Sequence, residues 1–150
     1  MSVELVTDLV FCEQLAREAI AATELVVPAD MFVLAHLLSF SVHTSDLPGR
    51  ALFGTRIVIS RHAARREQHA LIAAEIACDL LREAGQRMTP DNVALISRAL
   101  LLPEQSFRED VLALRTVTAL SLRHKNAPEW MIERRIADID PRSSQLRLVR

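Results

Sequence analysis

Tyrosine is absent from this 150-residue sequence, and five Phe and one Trp are its whole aromatic complement. Stacking platforms for single-stranded nucleic acid need aromatic faces, so that class of surface is excluded and the aliphatic residues point to helix packing. Cysteine is scarce too. Cys12 and Cys78 form no Cys-x-x-Cys pair, which disfavours a disulfide framework and a thiolate zinc site and fits a reducing cytoplasm. A dominant charge is also missing: 18 Lys and Arg against 19 Asp and Glu leave a formal net charge of −1. No global field therefore draws the chain onto nucleic acid or anionic lipid. Apolar runs are short, which excludes a membrane span, and Glu4, Asp8 and Glu13 stand where a secretory signal carries bases. The expectation is a cytoplasmic protein of one domain, spanning 1–150.

Apolar positions are plentiful and their spacing reads as helices. Leu5, Leu9, Cys12, Leu15 and Ala19 share one side of an N-terminal helix over 3–25, with Glu4, Asp8, Glu13, Arg17 and Glu18 on the remaining face. Asp30 opens a short helix after Pro28. Between 40 and 60 the period changes, and Pro48-Gly49 followed by Arg56-Ile57-Val58-Ile59 predicts a small sheet. A basic connector over 61–69 leads to a central helix over about 67–84, closed by Gly85. On that helix Gln68, Glu75, Asp79, Arg82 and Gln86 form a polar stripe. Thr89 and Pro90 start the next helix as N-cap and first residue, and Pro103 ends it. Helices follow over about 105–123 and 128–139, and 145–149 alternates like an edge strand. The fold class expected is α+β, predominantly helical, with the sheet packed on the central helix.

Gly-rich phosphate loops, nucleophile elbows and acidic metal runs are lacking. The histidines at 36, 43, 62, 69 and 124 include no His-x-x-x-His pair. One set of residues does suggest a relationship. Pro28-x-Asp30 leads into Leu34-Ala35-His36-Leu37-Leu38-x-x-x-Val42, then Ile57-Val58-Ile59, Arg65-Arg66 and the apolar stretch His69-Ala70-Leu71-Ile72-Ala73-Ala74-Glu75-Ile76-Ala77-Cys78-Asp79-Leu80-Leu81. Val93 to Pro103, Ala127-Pro128 and Arg135-Ile136 continue the pattern. This layout resembles the ImmA/IrrE family of zincin-like metallopeptidases, whose helix carries a pattern close to Arg-Phe-x-Leu-Ala-His-Glu-Leu-Gly-His-x-Leu-Leu. The similarity runs over roughly residues 24–139 and implies a zincin-like fold.

The same resemblance shows what has been lost. His-Glu-x-x-His places two imidazoles one helical turn apart on a single ion, with the Glu polarising bound water. The positions of the first and second ligands are Ala74 and Cys78, and the position of the third, a Glu early in the next helix, falls at Pro90 beside Asp91. Glu75 alone keeps its place, as a vestigial general base. It also reads as a solvated residue of the polar stripe, and Cys78 as a small packing residue. No cofactor is expected. Ala74, Cys78, Asp79, Asp91, Arg65 and Arg66 are the expected cleft or partner contacts.

The resulting expectation is a pseudo-metallopeptidase that binds another protein. The resemblance implies a regulatory setting, in stress response or mobile-element control, beside a helix-turn-helix repressor. An alternative is an active hydrolase using Glu75 with a zinc displaced onto His62, His69 or Cys78. Another is a DNA-binding regulator working through Arg134 and Arg135 of the last helix, near Trp130, although residues 108–140 carry six basic against six acidic residues. Trp130 reads more simply as a core or interface anchor. Phe11 and Leu15 permit a homodimer through the first helix.

Overall fold

The computed structural model describes residues 3–139, with side chains from residue 9 onward; the strand expected over 145–149 lies outside them. Among the described residues the chain is mostly helical with one small sheet. Helix α1 spans Val3–Thr23, ending just short of its expected limit, and α2 spans Met31–Leu37. Asp30 caps α2, its Oδ1 accepting from the backbone N–H of Phe32 and Val33 at 2.9 and 3.2 Å. Three strands follow: β1 Ser41–Ser45, β2 Arg50–Phe53 and β3 Arg56–Ser60. Their order is β1-β3-β2, with β1 parallel and β2 antiparallel to β3.

The central helix α3 spans Arg65–Glu83. It begins earlier than expected, so the basic connector ends at Ala64 and the second half of 61–69 is helical. Gly85, at φ +66°, ends it in the left-handed turn that a side chain would strain. Helix α4 covers Pro90–Leu101, and Thr89 Oγ1 accepts from Asn92 N–H at 3.1 Å as its cap. The single helix expected over 105–123 is two: α5 Glu104–Leu114 and α6 Val117–Arg123. Arg115 sits at φ +60°, and Thr116 accepts from Ala119 N–H at 3.0 Å to start a new helix. A polar N-cap thus outweighs continuing periodicity. Helix α7, Glu129–Ile139, completes the described chain.

Helix α3 is the centre of the packing. It lies against α4 and α2 on its helical sides and against β2 and β3 on the other, and α4 packs in turn on α1 and α7. Ile72, Ala73, Ile76, Ala77 and Leu81 of α3 are fully buried with Ile96 and Leu100 of α4 and Met31, Leu34 and Ala35 of α2. On α1 the buried residues are Cys12, Ala16 and Ala19, and Leu15 is packed against the same core, so its apolar side faces inward. Glu13 turns inward as well. Its carboxylate binds the fully buried Arg135 of α7, which also donates to Leu102 O at 3.0 Å. No described helix is long and apolar enough to cross a membrane.

Candidate functional site

The geometry around Glu75 follows from strand alternation. Opposed residues of an antiparallel pair share a face, and Ile57 and Ile59 of β3 are buried toward the core. Their partners across the ladder are Leu52 and Arg50. Leu52 therefore packs on the core and Arg50, one pleat on, is aimed at α3. Gly49 sets this up: its φ of +87° turns the chain into β2, and its carbonyl accepts from Ser60 N–H at 3.0 Å.

Arg50 Nη1 donates to Glu75 Oε1 at 2.5 Å and approaches Cys78 Sγ at 3.8 Å. Glu75 retains only 5% exposure. The solvated stripe expected on α3 is thus wrong at this residue, because β2 covers it and supplies the countercharge. Burial works against the Arg50 charge, but the Glu75 carboxylate outweighs it and the guanidinium pKa is raised. Nothing in the sequence reading marked Arg50. Its signal was the pleat: if Leu52 faces inward, Arg50 does too.

Beside this pair opens a cleft of about 460 Å³ between α3, α4 and the start of α7. Ala70, Ala74 and Cys78 line it from α3, Pro90, Val93, Ala94 and Ser97 from α4, and Met88, Trp130 and Met131 close it. Ala74, Cys78 and Pro90 therefore share this lining. Asp91 does not join them and stays exposed on the first turn of α4. Asp79 is half-buried beside Arg82 at 3.8 Å, and burial raises its pKa, with Glu83 adding to the effect and Arg82 opposing it. Trp130 stands at the rim, 49% exposed, its Nε1 donating to Glu67 Oε1 at 3.0 Å. It is not a core residue. Arg98, also at the wall, is held bidentately by Asp138 at 2.6 and 2.9 Å.

The basic patch expected before α3 is taken apart by the fold. Arg66 donates to Ser121 Oγ at 2.6 Å, Ser121 O at 3.1 Å and Ala127 O at 3.0 Å, clamping α3 to the α6–α7 connection. Arg61 and His62 both pair with Asp46 at the surface. Arg65 is left exposed. On α7 Arg134 is exposed while Arg135 is wholly buried, so Arg135 offers nothing to a phosphate.

These residues do not fit a zinc centre. Ala74 and Pro90 have no donor atom, and Glu75 and Cys78 both face the Arg50 guanidinium. His69 is fully buried in α3, its Nδ1 accepting from Met31 N–H at 3.1 Å and its ring edge-on to Phe32. Among the described residues no group of three or more His, Cys, Asp or Glu can hold a metal ion. No family model, curated protein or solved structure matches the chain.

His69 carries a pH consequence. Burial pushes its pKa below the ordinary 6.5, with Asp30 opposing and Arg65 assisting. His124, hydrogen-bonded to Asp110 at 2.8 Å, is likewise lowered by burial against the pull of Asp110. Both rings take up a proton less readily in the fold than in the unfolded chain, where the ordinary value is 6.5. Stability from these sites is complete above that value and falls as pH drops through it. Urea midpoints should therefore be lower at about pH 5.5 than at about pH 7.5, with a shallower slope for His69→Asn, which cannot titrate. An unchanged slope in the variant would contradict the assignment.

Proposed function

We propose that this chain is a non-catalytic protein on a zincin-like scaffold of the ImmA/IrrE type, and that it works by binding another protein through the cleft beside α3. One observation carries this reading: Glu75, at the general-base position of the resemblance, is held by Arg50 at 2.5 Å. A general base must present a carboxylate oxygen to water, and here Oε1 of a nearly buried Glu75 is taken by a guanidinium donor. The neighbouring ligand positions, Ala74 and Pro90, contribute hydrocarbon instead of donors. What remains is an apolar concavity with a few polar groups, which suits holding a polypeptide segment without cleaving it. A cytoplasmic regulatory partner, a helix-turn-helix repressor among them, is what the resemblance suggests.

The purified protein is expected to carry only substoichiometric zinc, and added zinc is expected to leave its thermal midpoint unchanged. Peptide hydrolysis should be at background level and unaffected by Glu75→Ala. Stoichiometric zinc, lost together with a hydrolytic activity in Glu75→Ala, would overturn this reading in favour of a displaced metal site.

A further inference from the structure

One of the two arginines that line the cleft has its whole Nε/Nη2 edge unused among the described residues. Arg98 is neutralised on both donors of its Nε/Nη2 edge by Asp138. Arg50 directs Nη1 alone at Glu75 and Cys78, and its Nε and Nη2 have no hydrogen-bond partner among the described residues. That free edge is the planar fork that receives a carboxylate bidentately. The Arg50 side chain is 33% exposed and forms part of the cleft lining. A guanidinium serving two carboxylates has a precedent in this same fold, where Arg135 contacts both Glu13 and Asp138. Around the fork the walls are hydrocarbon and thioether: Ala70, Ala74, Val93, Met88 and Met131, with the Trp130 ring at the rim. A volume of about 460 Å³ lies in the range of small-ligand clefts, so it admits a chain end and not a folded surface.

We propose that the cleft captures the C-terminal end of a partner polypeptide, its α-carboxylate on Nε and Nη2 of Arg50 and its aliphatic side chains against the alanine and methionine walls. The inference rests on the reading of the cleft as a peptide-binding site. Charge complementarity selects the occupant: an aliphatic internal segment brings no anion to the Arg50 fork, whereas a chain end always does.

The test is an NMR titration of the full chain with N-acetyl-Leu-Ala-Leu as the free acid and as its C-terminal amide. The acid is expected to bind at least about tenfold more tightly, moving the Arg50 Nε–H resonance and the amides of Ala74 and Val93. Arg50→Lys keeps a charge beside Glu75 but loses the fork, so it should weaken the acid about tenfold and leave the amide unchanged. Equal affinity for acid and amide would overturn capture of a chain end while leaving the peptide-binding cleft standing. Binding of neither probe would overturn both.

Discussion

Arg135→Met is expected to destabilise the fold by about 3–5 kcal/mol, the cost of leaving buried charges without their partner. Arg135 is fully buried on α7, donates to both oxygens of Glu13 on α1, donates to Leu102 O at 3.0 Å, and lies 3.5 Å from Asp138. One guanidinium thus joins the first helix, the last described helix and the end of α4. Met fills similar volume, so the loss comes from the orphaned Glu13 carboxylate and Leu102 carbonyl, not from a cavity. Adding Glu13→Leu should restore most of the stability, because a buried ion pair replaced whole by apolar groups is often neutral. Urea unfolding of the two variants checks this, and a double variant no more stable than Arg135→Met would contradict it.

The second large effect is expected at Arg50. Arg50→Met leaves Glu75, with its side chain 7% exposed, as a carboxylate without its cation in the α3–β2 interface. Because Arg50 itself is one-third exposed, water tempers the loss, and about 2 kcal/mol is expected. The effect should appear as a lower urea midpoint for the variant.

Much of the fold was legible because its punctuation is local. Asp30, Thr89-Pro90, Gly85 and Pro103 each act on backbone groups within a turn of themselves, and each marks an observed helix limit. The break at Arg115 is local too, but it has neither glycine nor proline, and only the Thr116 cap announces it. The site was half legible. The resemblance set Ala74, Glu75, Cys78 and Pro90 at neighbouring positions, and Ala74, Cys78 and Pro90 line one cleft. The resemblance did not reveal what covers that face of α3. The partner of Glu75 arrives from a strand twenty-five residues earlier, fixed by the register of Arg50 against Ile59. Arg66, expected at a cleft or partner contact, and Arg135, placed on a DNA surface in one alternative, are taken up inside the fold: an Arg-Arg pair does not show which member Ser121, Ala127, Glu13 and Leu102 fold around.

Glu75 and Arg50 form an ion pair across the α3–β2 interface. A double-mutant cycle in urea unfolding with Arg50→Met, Glu75→Leu and the two combined tests it most directly. The predicted result is a combined variant more stable than Arg50→Met alone, with a coupling of at least about 1 kcal/mol between the sites. Additive effects, with Glu75→Leu equally tolerated whether or not Arg50 is present, would contradict the pairing on which the account rests.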